Sequence, residues 1–200
     1  MRRILLMRVS VLAVGFGTAL AAPVPPVGPE DQIIGPATAP VTVIEYASLT
    51  CPHCGRWEKD VFPQVKKEWV ETGKIRFVFR DFPLDRSALK AAQLAHCTGD
   101  DRFWGFLEAE FGSQQVWATH PDPTDELLKI GKLGGVSEEK ARACMTPDNA
   151  IAKAIAATQA AGTEANVDST PTFFINGKLY AGEIPYDEFV KDLRAAGAGS

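Results

Sequence analysis

The chain has 200 residues, 46% of them hydrophobic and 23% charged, with a formal net charge of −4. That composition suits one compact core, with room for a single insertion, and shows no internal repeat or long low-complexity run. The acidic balance argues against nucleic acid as a partner. Four cysteines make redox or metal chemistry the first question.

The opening stretch, MRRILLMRVSVLAVGFGTALAA, joins a basic start to an apolar run and the small-residue pattern Ala19-Leu20-Ala21. This is the layout of a secretory signal peptide over residues 1–21, with cleavage expected after Ala21 or Ala22. Arg8 leaves only Val9 to Leu20 continuously apolar, shorter than the ~20 residues a bilayer span needs. Loss of Arg2, Arg3 and Arg8 takes the net charge from −4 to −7. Export would place Cys51, Cys54, Cys97 and Cys144 in an oxidising compartment, where disulfides persist. Residues 22–40 begin APVPPVGPEDQ and are expected to form an extended leader.

Next in the chain, VTVIEYAS (41–48) is a run of β-branched and apolar residues and predicts a buried strand. It leads directly into Cys51-Pro52-His53-Cys54. Trp57, Val61, Val65, Trp69 and Val70 then recur at helical spacing to about Glu71, with Pro63 expected to bend that helix. KIRFVFRD (74–81) alternates at strand period.

The following stretch reads as helical. Ala88, Ala91, Ala92 and Ala95 mark a helix ending near Cys97; Trp104, Leu107 and Phe111 mark a second; Leu127, Leu128 and Ile130 mark a third. Ser137 opens a short fourth through Cys144, and Thr146-Pro147 is expected to cap a fifth. Strand signals return at STPTFFINGKLYAG (169–182), where Asn176-Gly177 suits a tight hairpin turn. PYDEFVKDLRAAG closes the chain as a helix. The order is a βαβ unit, a helical block and a ββα unit: an α/β fold with one mixed sheet and an all-helical insertion. The expected parts are 41–83 and 166–197 for the sheet domain and 84–165 for the insertion.

Cys51 follows a strand and opens a helix, where free backbone N–H groups and the helix dipole favour a thiolate. Pro52 fits an early helical position, and the His53 ring, if cationic or donating, would stabilise that thiolate further. Cys54, one turn on, is near enough to close a disulfide and is expected to be more buried. This makes Cys51 the attacking sulfur and Cys54 the resolving one. A zinc site would need two further ligands, and Cys97 and Cys144 belong to no second CxxC. An inert clip is weak as well, because so short a ring staples almost nothing.

Cys97 and Cys144 are expected to form a structural bridge, with two separate buried thiols as the alternative. Glu45 lies inside the apolar strand, six residues before Cys51. Either it is a buried carboxylate that relays a proton at Cys54, or it points to an open edge. Thr170-Pro171 is either a plain strand start or a cis peptide that offers the Thr170 backbone to an extended peptide.

VIEYASLTCPHC, a helical block and STPTFFINGK together resemble the DsbA-type periplasmic thiol-disulfide oxidoreductases of the thioredoxin-fold superfamily, in their alphaproteobacterial style. The resemblance covers about residues 30–197. It implies a thioredoxin fold with an inserted helical domain, Cys51 as exposed nucleophile, Cys54 as its partner, and Pro52 and His53 as tuners of the potential. It further implies Glu45 as the buried acid and Thr170-Pro171 as the cis-proline loop that contacts substrate. No cofactor or metal is implied beyond the Cys51–Cys54 disulfide. The implied partners are exported cysteine-containing proteins and a DsbB-type, quinone-linked membrane protein, for a periplasmic monomer. Threonine before the proline departs from the valine of the best-studied oxidases and also occurs in related isomerases and reductases. A reductase or isomerase of the same fold is therefore the alternative function, and a peptide-binding chaperone a more distant one.

Overall fold

The computed structural model describes residues 23–199. The expected signal peptide, residues 1–21, lies outside the described residues. Among those described, no helix is long and apolar enough to cross a membrane.

The described strands are β1 (Gln32–Ile34), β2 (Val41–Ala47), β3 (Ile75–Asp81), β4 (Thr172–Ile175) and β5 (Lys178–Ala181). They form one mixed sheet in the order β1-β3-β2-β4-β5. Only β2 and β3 run parallel; the other pairs are antiparallel. The β2–β3 crossover is helix α1 (Pro52–Asp60), a short α2 (Phe62–Val65) and a wide π-helical turn (Lys66–Val70). Pro63 was expected to bend one helix, and the break falls just before it, at Val61. The Asn176-Gly177 turn has φ of +45° and +84°, which is the left-handed pair that a two-residue hairpin requires.

Within the leader, expected to be extended, Gln32–Ile34 forms β1, which pairs with the outer edge of β3 through Gln32–Phe79 and Ile34–Phe77. Arg80 explains the attachment. Its guanidinium makes a bidentate pair with Asp31 at 2.7 and 2.8 Å, and donates to the carbonyls of Pro25 and Pro26 and to the Tyr46 hydroxyl. A buried guanidinium needs its donors met, and the proline-rich segment supplies carbonyls without competing N–H groups. Arg80 and Asp81 do not pair with one another; Asp81 meets His96 at 2.6 Å.

Helices α3 (Arg86–His96), α4 (Asp100–Gly112), α5 (Gln114–Trp117), α6 (Thr124–Leu133), α7 (Glu138–Cys144) and α8 (Ala150–Glu164) lie between β3 and β4, and α9 (Tyr186–Ala195) closes the fold. Caps follow side-chain chemistry: Asp85 accepts from Ala88 N, Ser137 from Lys140 N and Asn149 from Ala152 N. The Asn149 cap corrects the expectation of Thr146-Pro147, because α8 begins at Ala150. The Asn149 side chain meets two needs at once, accepting from Ala152 N and donating to the Cys144 carbonyl.

Three apolar clusters follow from this layering. Val41, Val43, Phe77, Phe173, Trp57 and Phe189 join one sheet face to α1 and α9. Ile44, Tyr46, Val78 and Phe174 back onto the end of α8. The third cluster fills the helical block and extends to Cys51 and Cys54. Trp104 of α4 packs against both the first and the third, with its ring 5.9 Å from Phe62 and 6.2 Å from Phe77.

Candidate active site

Strand β2 delivers the chain to Cys51, which is the N-cap of α1 with extended backbone (φ −74°, ψ 119°), and Pro52 occupies the first turn. Cys51 N donates to the Ser48 carbonyl at 3.0 Å and Gly55 N to the Cys51 carbonyl at 3.1 Å. Both Cys51 and Cys54 are free thiols here, so the pair is in its reduced state. Cys51 keeps a 5% exposed edge, while Cys54 is wholly enclosed.

The two sulfurs have opposite character. A hydrogen bond from Cys54 pulls the Cys51 thiol down to about 5; burial opposes this, and Thr170 with the backbone N–H groups of Cys54 and His53 reinforces it. Cys54 is pushed far upward by burial first, then by its bond to Cys51 and by the charge of Glu45. One sulfur is prepared to leave or attack, and the other holds its proton.

The peptide bond between Thr170 and Pro171 is cis. It places the Thr170 carbonyl 3.2 Å from the Cys51 sulfur. An open groove of about 630 Å3 begins there, lined by His53, Val61, Thr170, Glu183, Ile184 and Pro185.

Because side chains alternate along a strand, Glu45 shares the face of Val41 and Val43, the face covered by α1. It is fully buried, and neither carboxylate oxygen has a hydrogen-bond partner among the described residues. Burial first, then the charge of Glu58, raise its pKa well above the carboxylate range. The open-edge alternative for Glu45 is thereby set aside. Glu58, four residues after Cys54 on the same helical face, is buried too and raised chiefly by burial. Sequence reading passed over Glu58, although its spacing from Cys54 was a usable signal.

Gln114 was also missed. From α5 it donates its amide to the carbonyls of Leu49 (2.7 Å) and Cys51 (2.9 Å). No local pattern links it to the dithiol. Gly55 fits this arrangement, since a Cβ there would lie 2.5 Å from the Gln114 oxygen.

His53 makes two kinds of contact. Its backbone N–H serves the Cys51 sulfur, while the ring Nδ1 lies 3.0 Å from Glu183 Oε2 and 2.6 Å from Arg56 Nη2. Cys97 and Cys144 are joined in a disulfide with Cα atoms 5.9 Å apart. The bridge ties the end of α3 to the end of α7, well along the chain from the free pair. Among the described residues, no group of three or more His, Cys, Asp or Glu side chains is placed to hold a metal ion.

A family model described as thioredoxin matches residues 28–195. The chain belongs to the thioredoxin family. Within this family it is similar to Wolbachia pipientis α-DsbA1, at 32% identity and a TM-score of 0.79 over 86% of this chain and 92% of that one. Oxidised BdbD of Bacillus subtilis shares the thioredoxin-family fold at 22% identity and a TM-score of 0.77, over 88% and 97% of the two chains. A Rickettsia prowazekii protein, provisionally named a protein-disulfide oxidoreductase, is 36% identical over 148 residues, covering 74% of this chain and 54% of the relative. The chain thus spans about half the length of the rickettsial relatives it matches. The mixed sheet with helices between β3 and β4 is the thioredoxin-like arrangement of the DsbA structures.

Proposed function

We propose that the chain is a protein thiol-disulfide oxidoreductase that donates a Cys51–Cys54 disulfide to exported, cysteine-containing proteins in the periplasm. The observation that carries this reading is the contrast between the sulfurs: Cys51 lowered to about 5 and open at its edge, Cys54 enclosed and raised. A leaving thiolate stabilised in this way makes the disulfide a strong oxidant.

In the forward reaction a substrate thiolate attacks Cys51 of the disulfide, and the Cys51–Cys54 bond breaks. The electron pair passes to Cys54, which takes a proton. A second substrate thiolate then attacks the substrate sulfur of the mixed disulfide, releasing Cys51 as a thiolate. The substrate loses two electrons, and the dithiol gains them. Glu45, beneath Cys54, supplies and recovers the Cys54 proton, and the cis Thr170-Pro171 loop offers its backbone to the bound peptide. Pro52 sets the start of α1 beneath the sulfur. A DsbB-type, quinone-linked membrane protein is the proposed acceptor of the two electrons. The N-terminal export signal and the division into sheet domain (41–83 and 166–197) and helical insertion (84–165) belong to the same reading.

The test is the equilibrium of the Cys51–Cys54 pair against glutathione buffers, with Cys97 and Cys144 left bridged. An oxidase remains largely reduced in buffers where a reductase is already oxidised. Thr170 favours attention to the reverse direction, as a reductase or isomerase. The redox state of the pair in cells decides between them: oxidised at steady state supports the oxidase, reduced supports the alternative.

A further inference from the structure

The position of the His53 ring is set from across the groove. Glu183 lies in the loop between β5 and α9, and its Oε2 lies 3.0 Å from His53 Nδ1 and 2.8 Å from Arg56 Nη2. Arg56 Nη2 is itself 2.6 Å from the same Nδ1. An imidazole nitrogen has one in-plane site, which either carries a proton or accepts one. Nδ1 therefore cannot donate to Glu183 and accept from Arg56 at the same time. The Glu183 contact ties the ring through Nδ1 to the loop side of the groove, while the Cys51 sulfur receives the His53 backbone N–H.

We infer that Glu183 is a positioning residue for the exchange reaction, tethering the His53 ring and so withholding its hydrogen bond from the Cys51 thiolate. The inference rests on the thiol-exchange reading. Its chemical logic is competition. A carboxylate and a thiolate both accept from an imidazole N–H, and a ring held through Nδ1 at Glu183 does not turn that nitrogen to the sulfur. With Glu183 present the ring is shared with Arg56 at the groove wall. Once Glu183 is neutralised, the ring is free to turn to the sulfur two residues before it. The tether thus keeps the dithiol less oxidising than its helix start alone would permit with a free histidine. Arg56 moderates the hold, because it draws on the same carboxylate oxygen through both Nε (3.2 Å) and Nη2.

The pair is more than half exposed on the histidine side, so the effect falls in the range of surface ion pairs, about two- to fivefold in an equilibrium constant. The experiment is a double-mutant cycle of Glu183→Gln and His53→Ala in the full chain. It is read by the thiolate absorbance of Cys51 against pH and by the equilibrium with glutathione. In the parent background, Glu183→Gln is expected to lower the Cys51 pKa and shift the equilibrium about two- to fivefold toward the reduced protein. In the His53→Ala background the same substitution is expected to do nothing measurable. Arg56→Gln, which leaves Glu183 and His53 to each other, is expected to shift the equilibrium the opposite way. An equal shift with and without the histidine would mean that Glu183 acts on Cys51 by charge alone, and the inference fails; no shift in either background overturns it as well. If Cys51 of the unaltered protein titrates as an ordinary thiol, the exchange reading itself fails, a result separate from either outcome of the cycle.

Discussion

Gln114 donates its side-chain amide to the Cys51 carbonyl at 2.9 Å, across 63 residues of chain. The same nitrogen bonds the Leu49 carbonyl, so a single residue of the helical block fixes both sides of the approach to the dithiol. Gln114→Ala leaves two buried carbonyls without this donor and is expected to destabilise the protein by about 1–3 kcal/mol. Thermal unfolding of the reduced protein reads this directly, at about 2–4 °C per kcal/mol for a chain of this size.

Gly55→Ala belongs to the same contact. The added Cβ would stand 2.5 Å from the Gln114 oxygen, and crowding of this kind costs roughly 1–3 kcal/mol. The cost should shrink when Gln114 is also replaced by alanine, since the clash partner is then gone. Additive losses in the double variant would contradict this account.

Acid should weaken the reduced protein selectively. The Cys51 thiol is held below its ordinary value in the folded reduced state. The stability this adds is fully present above the ordinary thiol range and is lost as pH falls through about 5. The disulfide form has no such group. Urea unfolding of both forms should show the reduced form's advantage narrowing steadily from pH 7 to pH 4.

Glu45 and Glu58 act in the opposite sense. Both carboxyls are raised, chiefly by burial, so they favour folding while protonated and disfavour it as pH rises beyond the ordinary carboxylate range. Glu58→Gln is expected to flatten the loss of stability between pH 5 and pH 8. Glu45→Gln should do the same and, on the proposed mechanism in which Glu45 exchanges a proton with Cys54, should also slow dithiol oxidation. Stopped-flow kinetics of that step, measured beside the unfolding curves, separate the two roles.

Removing the second bridge is expected to cost stability. For a sequence separation of 47 residues, the chain-entropy treatment gives about 4 kcal/mol. Cys97→Ala/Cys144→Ala should therefore melt roughly 8–16 °C lower, with the Cys51–Cys54 pair still titrating.

Much of this was legible in the sequence because the signals were local. The hairpin at Asn176-Gly177, the strand into CPHC and the Ser137 cap each depend on neighbours along the chain. Glu45 was conspicuous because a charge stood in an apolar run. Gln114, Glu183 and the Arg80–Asp31 pair carried no such mark: each is an ordinary polar residue whose partner lies tens of residues away. The docking of the extended leader carried no mark for the same reason, since only the buried Arg80 reveals why a proline-rich segment should lie down on a sheet edge.

Trp104 belongs to two apolar clusters at once, touching Phe62 and Phe77 on the sheet side and Phe103 on the helical side. It works as a rivet through both halves. Prising the helical block from the sheet would strip this ring of neighbours on each side, so the molecule has no easy hinge there. On the thiol-exchange reading proposed above, a client would meet a preformed ledge rather than closing jaws, and would have to be extended enough to lie along it.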